Sequence, residues 1–420
     1  MTQALLVFLA TVGLQAPAPV ATVPLDQPAL VRALEALDRD HDRMVAEIVT
    51  LTEIPAPPFK EDRRAAAYLK MLQQAGLTNV ERDAEGNVMG LRRGRGTGPL
   101  VAVAAHLDTV FPEGTDVRVR RDGTRLFAPG IGDNSRSLAV MLAIVRAMDA
   151  AGVTTASDVL FVGNVGEEGP GDLRGIRHLF TKGPYRDRIK MFVSIDGVGD
   201  GDHIVNAAVG SRRYRVTFKG PGGHSYGAFG LVNPAFALGH AAAAFSRITV
   251  PDSPKTTFNI GVMGGGTSVN SIPSEVWMDV DLRSEDPAAL TRLESEFRAA
   301  MDAGAAAENA ARSTRVGQIE VDFALIGDRP AGTTPLDSPI AQAAAAVVRH
   351  LGRTPTFGAS STDSNIPISL GIPAVTIDSG GQGARAHALD EWIDIEKSAS
   401  LGGVRSALLL VAALAGAGKQ

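Results

Sequence analysis

The chain contains no cysteine. That excludes disulfides and thiolate metal sites, so any transition metal must be held by His, Asp and Glu. It also lacks a basic run or tail. The formal net charge is -5 over 420 residues, and nothing offers the electrostatic footprint of a nucleic-acid binder. Long apolar runs are equally scarce. Residues 5–14 are almost unbroken, and no Lys or Arg precedes them. That stretch is too short to span a bilayer as a mature helix, but it has the length of a secretory signal's apolar core. The candidate cleavage site, Ala16-Pro17-Ala18, is followed by Pro19. Residues 1–21 are expected to be a signal segment, with export to the periplasm or beyond. A cytoplasmic location is the alternative if they are not. No other segment reads as a membrane span.

What is present is an apolar periodicity that changes character twice. At 45% hydrophobic, a chain of this length can bury more than one core. Residues 28–51 and 61–74 read as amphipathic helices, separated by Ile54-Pro55-Ala56-Pro57-Pro58. Apolar runs at 88–91, 100–105, 159–165 and 191–195 read as strands. Helical segments at 137–148 and 172–180 alternate with them, as in an α/β sheet with helices on its faces. Beyond Asn206 the order becomes β-α-β-β-α-β, at 213–219, 234–247, 257–263, 276–282, 287–303 and 318–324. That order describes a small α+β unit of ferredoxin-like type. After Gly327 a helix (338–351), a strand (374–377) and a helix (395–415) restore the first style. The expected fold is a discontinuous α/β domain with a mostly parallel sheet, residues 28–206 plus 327–420. An α+β domain is inserted into it at 207–326.

Five short segments gather metal-binding residue types, and four of them follow predicted strands. They are Ala105-His106-Leu107-Asp108, Gly130-Ile131-Gly132-Asp133-Asn134, Gly166-Glu167-Glu168-Gly169, Ser194-Ile195-Asp196-Gly197 and Ala386-His387-Ala388-Leu389-Asp390-Glu391. Singly, each has an ordinary reading. A lone strand His is usually a satisfied core or surface residue, Asp-Asn before a helix an N-cap or turn, and paired glutamates a solvated face. Jointly they read differently, because strand carboxyl ends in an open α/β sheet converge on one crevice where ligands bind. His and carboxylates suit zinc, with cobalt or manganese as substitutes. Several acids in one crevice repel unless cations neutralise them.

In this order of motifs the chain resembles the M20 family of metallopeptidases, and within it the peptidase T-like (tripeptide aminopeptidase-like) branch. The resemblance covers nearly the whole chain after the N-terminal segment. It implies two divalent ions, zinc first among them. His106 and Asp196 would hold one, Glu168 and His387 the other, and Asp133 would bridge them. It implies a cis peptide bond at Asp133-Asn134. Asp108 would hydrogen-bond the His106 imidazole and fix its tautomer. Glu167 would be the general base, taking a proton from a water shared by the metals.

The inserted domain carries Gly222-Gly223-His224-Ser225, Asn270-Ser271-Ile272-Pro273 and Asp281-Leu282-Arg283. Read alone these are a glycine-rich loop, a turn and a surface charge. By resemblance they belong to a lid that pairs two subunits. His224 would then stabilise the oxyanion, Asn270 contact the substrate and Arg283 clamp its carboxylate. Ser361-Thr362-Asp363-Ser364-Asn365 reads as a helix start beside the site, with an N-cap or a substrate contact both open. The expected activity is release of an amino acid from a short peptide. A carboxypeptidase or N-acyl amino acid amidohydrolase is the alternative, since either substrate offers a carboxylate to Arg283. A non-catalytic binding protein is a third reading, disfavoured by the intact Glu167.

Overall fold

The computed structural model describes residues 24–418. The candidate signal, residues 1–21, lies outside them. The strand Leu100–His106 is buried along its whole length and sits between two parallel neighbours, Val159–Asn164 and Ile189–Ile195. A run buried on both faces needs no polar alternation, which is why it reads as continuous apolar sequence. Ala374–Ile377 extends the parallel block on the far side of Ile189–Ile195. The edges are antiparallel: Val88–Arg92 and Thr78–Arg82 on one side, His203–Ala208 and Gly332–Thr333 on the other. Thr356–Ser360 also pairs with His203–Ala208, completing a nine-stranded sheet.

Helices cover both faces. Pro28–Thr52, Arg136–Ala150 and Lys397–Leu414 contribute to the largest core. Lys397–Leu414 is long and apolar enough to cross a membrane, but 78% of it is buried inside the protein, so it is a core helix. On the opposite face, Ile176, Leu179 and Phe180 of Arg174–Thr181 pack with Phe192.

The second core lies in the insert. Gly210–Lys219, Glu275–Ser284, Thr256–Gly265 and Glu320–Arg329 form a separate antiparallel sheet. Glu275–Ser284 alternates between buried and more exposed positions, the period-2 pattern of a sheet with one covered face. Phe245 and Phe297, from the helices Pro234–Phe245 and Pro287–Ala311, pack with Tyr214, Val216 and Phe218 of the sheet. Both helices start on a side-chain cap, Asn233 Oδ1 accepting from Ala235 N at 2.9 Å and Asp286 Oδ1 from Ala289 N at 2.7 Å. Their close approach requires Gly304, where a Cβ would lie 2.6 Å from that of Ala241.

Candidate metal centre

The parallel centre of the sheet brings three strand ends to one edge. His106 is the last residue of its strand, Asp196 follows Ile189–Ile195, and Glu167 and Glu168 come three and four residues after Val159–Asn164 ends. Asp133 sits in the irregular turn Ile131–Ser135 ahead of Arg136–Ala150. His387 comes from the loop between Gly383–Ala384 and Trp392–Asp394, strands of a small four-stranded sheet.

The side chains converge on Asp133. His106 Nε2 lies 2.9 Å from Asp133 Oδ1 and 3.6 Å from Asp196 Oδ1. His387 Nε2 lies 3.1 Å from Asp133 Oδ2 and 3.0 Å from Glu168 Oε1. Two groups of donor atoms result, His106–Asp133–Asp196 and Asp133–Glu168–His387, each within 4.8 Å. They share Asp133, one oxygen facing each imidazole. Asp133 Oδ1 is buried and makes no hydrogen bond of proper geometry despite the adjacent ring. An acceptor in that state suits a cation, and a set of imidazoles and carboxylates without thiolate suits a divalent metal such as zinc. His106, Glu167 and Glu168 form a third such group, but one oxygen of Glu167 is already engaged by Arg329 at 3.0 Å.

The electrostatics point the same way. Burial disfavours charge on His106, yet the adjacent Asp133 and Asp196 carboxylates outweigh burial and hold the imidazole well above its usual value. Hydrogen bonds to Asp133 and Glu168 raise His387 to about 10. Burial also opposes the Asp133 carboxylate, but the two imidazoles hold it far below the usual range. The carboxylates thus call for positive charge at two points. Divalent ions on the same atoms would supply it and leave the imidazoles neutral.

Four supporting residues make contacts that differ from the sequence-based expectation or go beyond it. The Asp108 carboxylate does not orient His106. His106 Nδ1 lies 3.0 Å from the backbone oxygen of Asp108, while the Asp108 carboxylate stands 3.7 Å away. That carboxylate instead accepts the backbone N–H groups of Glu167 and Glu168, at 3.0 and 2.8 Å. With both oxygens committed to those two donors, it fixes the glutamate loop and leaves the ring to its own main chain.

Glu391 accepts three backbone donors, Gly130 N, Gly132 N and Asp133 N, at 2.8, 2.7 and 2.9 Å. It holds the turn that presents Asp133, and the Asp133-Asn134 peptide bond in that turn is cis. Its place four residues past His387 was the available signal. Arg329, at the end of Glu320–Arg329, is buried and donates to Glu167. Its signal was weaker, an arginine where the insert returns to the α/β domain. Asp363 is buried, accepts from Asn164 Nδ2 at 2.9 Å, and is raised by burial to about 7.

The insert's residues stand apart from the centre within one chain. The pairing of Gly223–His224 with Ser271–Ile272 joins His224 and Asn270 in one exposed lobe, where Ser225 N donates to Asn270 O at 2.9 Å. His224 Nδ1 accepts from Tyr226 N and Gly227 N, at 3.2 and 3.3 Å. Arg283 donates to Asp281 at 2.6 Å, and Asp281 also pairs with Arg213, whose Nη1 reaches Gly169 O at 3.4 Å. Among the described residues, no hydrogen bond or ion pair joins His224, Asn270 or Arg283 to the metal-binding side chains.

An α/β sheet that gathers two imidazoles and three carboxylates, with Asp133 common to two donor groups, presents a candidate metal-binding site. The chain belongs to the peptidase family M20/M25/M40, whose model matches residues 102–410. It is 26% identical over 326 residues to the succinyl-diaminopimelate desuccinylase of Leptothrix cholodnii, covering 74% of this chain and 81% of that one. Its fold is similar to that of the aminopeptidase PepT from Bacillus cereus, with a TM-score of 0.72 at 21% identity over 89% of this chain and 99% of that one. The YXEP protein of Bacillus subtilis, a dinuclear metal binding peptidase from the M20 family, has a TM-score of 0.66 at 16% identity. That comparison covers 90% of this chain and 99% of the other. The protein is therefore an M20-family hydrolase with a metal-binding site.

Proposed function

We propose that the protein is a zinc-dependent aminopeptidase acting on short peptides, with Glu167 as general base. The observation that carries this reading is Asp133, whose two oxygens are divided between two ligand groups beside a buried glutamate tethered by Arg329. Two divalent ions held there would polarise the scissile carbonyl and acidify the attacking water. Glu167 takes the proton from that water and passes it to the leaving amine, so that amide and water become carboxylate and amine. Asp108 holds the backbone N–H groups of Glu167 and Glu168 in register, so that Glu167 would serve the water and Glu168 would hold a metal.

A second reading, hydrolysis of an N-acyl amino acid, is favoured by the succinyl-diaminopimelate desuccinylases among the relatives. Activity on matched free, N-blocked and C-blocked dipeptides and tripeptides, with metal analysis on the same sample, separates the two. Aminopeptidase action requires a free amino terminus. Preference for the N-acylated substrates would establish the second reading, and full activity of metal-free protein would sink both.

The insert is proposed to be a lid and dimer interface. Tyr226, Phe229 and Val269 are almost wholly exposed around His224, an apolar patch that a second copy would cover. In that dimer His224 would serve the partner's site. Residues 1–21 are proposed to be an export signal. N-terminal sequencing of protein from its native host tests this, and an intact Met1 on cytosolic protein would rule it out.

A further inference from the structure

We propose that Arg329 is a positioning residue that orients the Glu167 carboxylate and ties it to the lid's exit strand. The inference rests on the reading of Glu167 as general base. Arg329 is the last residue of Glu320–Arg329, where the chain leaves the inserted sheet. Arg329 is only 4% exposed and meets a glutamate that is only 5% exposed. Nη1 donates to Glu167 Oε1 at 3.0 Å and to Ser361 Oγ at 3.1 Å, and Nη2 donates to the backbone oxygen of Glu167. One planar fork thus grips both the side chain and the main chain of the same residue, which fixes the carboxylate's rotation and leaves Oε2 outside the grip.

The surrounding contacts make this a link between two bodies rather than an isolated ion pair. Asp328 N donates to both carboxylate oxygens of Asp172, at 3.1 Å each. Arg177 Nη2 donates to Asp328 O at 2.7 Å. On the lid's entry strand, Gly210–Lys219, Arg213 Nη1 donates to Gly169 O at 3.4 Å. Both strands that connect the insert to the α/β domain therefore hold the loop 167–172, and the loop is tight. A Cβ on Gly171 would lie 2.5 Å from the Cα of Gly166. Rotation of the lid about these strands displaces Arg329, and Arg329 carries Glu167 with it. The general base is in position only in the lid orientation that this latch permits.

The test is a double-mutant cycle on Glu167 and Arg329 in the metal-loaded enzyme, read as kcat, KM and metal content. Arg329→Ala should lower kcat about 10²-fold, the scale of an approximately 1 Å misplacement of a reacting group, with KM and metal content little changed. Arg329→Lys should recover only part, because an ammonium cannot grip two oxygens in one plane. Added guanidinium should raise kcat of Arg329→Ala. In the Glu167→Gln background, Arg329→Ala should cost little further, since a residue acting only through Glu167 has nothing left to orient. A full kcat in soluble, metal-loaded Arg329→Ala would overturn the proposal. So would an undiminished Arg329→Ala effect in the Glu167→Gln background. If Arg329→Ala does not fold, Arg329→Lys carries the test, and wild-type kcat in that variant has the same consequence. Retention of turnover by Glu167→Gln alone would instead sink the general-base reading, so the two failures are distinguishable.

Discussion

Glu391 offers the sharpest test of how the centre is built. It is only 2% exposed and accepts the backbone N–H groups of Gly130, Gly132 and Asp133. Glu391→Ala leaves three buried donors without their anionic acceptor. Hydrogen bonds to charged groups are worth about 1.5–3 kcal/mol each, and water entering the space left behind returns part of that, so the loss should be about 3–6 kcal/mol. Glu391→Gln should cost less. Gly132 N and Asp133 N share Oε1, which the amide oxygen can replace, while the amide NH₂ faces Gly130 N. One donor is lost, at about 1–3 kcal/mol. The assay is denaturation of chelator-treated protein followed by Trp392 fluorescence, in a background where Trp277, the other tryptophan, is replaced by Phe. Trp392 is adjacent to Glu391 and begins the strand Trp392–Asp394. Metal titration should show both sites weakened together, because the turn presents the shared Asp133. An unchanged midpoint with full metal loading in Glu391→Ala would refute the argument, and selective loss at one site would refute the sharing.

Three further outcomes are expected. Glu167→Gln should keep its metals and lose about 10²–10⁴-fold in turnover, whereas Glu168→Gln should lower metal loading; metal analysis beside kcat decides, and the reverse pattern would show the roles to be exchanged. Burial raises Asp378 from the usual 3.8 to about 6, so the folded state holds its proton more tightly than the unfolded chain. Its contribution to stability therefore falls as pH rises from about 4 to about 6, by up to about 3 kcal/mol. Asp378→Asn should flatten that slope in denaturation series, and an unchanged slope would count against it. His224→Ala should lower turnover about 10²–10³-fold without metal loss if it supplies an oxyanion donor. Mixing it with Glu167→Gln subunits should then restore up to about half of a dimer's activity. Verified subunit exchange without recovery would exclude action in trans.

Much of the fold is legible in the sequence because burial is strong and periodic there. The run at 100–105 is a strand buried on both faces, and its apolar continuity leaves little choice. The order 213–324 shows six alternating elements because the inserted sheet has one covered face. What escaped reading are the edges. Thr78–Arg82 is largely exposed and carries no apolar signature, while the short apolar stretch of His203–Ala208 opens on a histidine and is broken by Asn206, so their pairing is set by tertiary contact. The candidate metal ligands come together because His106 ends a strand, Asp196 follows one, and Asp133, Glu168 and His387 stand in turns and loops that meet them. Arg329 was not legible in the sequence. Its function depends on a contact with Glu167, 162 residues away in sequence, and nothing local distinguishes it from a surface arginine. Asp108 was misread on another ground, since the family resemblance implied a carboxylate partner for His106 where the backbone oxygen of Asp108 serves instead.

The acids around the centre separate by what already occupies their oxygens. Asp108 and Glu391 lie two and four residues from a metal-binding histidine, yet each has both carboxylate oxygens accepting backbone N–H groups. They have little left to offer a cation, and they hold the loops on which the ligands stand. Asp133 is the opposite case, with one buried oxygen that makes no hydrogen bond. Glu167 lies between, one oxygen taken by Arg329 and the other left. A carboxylate with one tethered and one open oxygen has less to offer the His106–Glu167–Glu168 group than an untethered one, but it suits the exchange of a single proton with a water. Side by side in sequence, Glu167 and Glu168 are assigned different tasks by these contacts. His387 claims an oxygen of Glu168 and Arg329 claims an oxygen of Glu167.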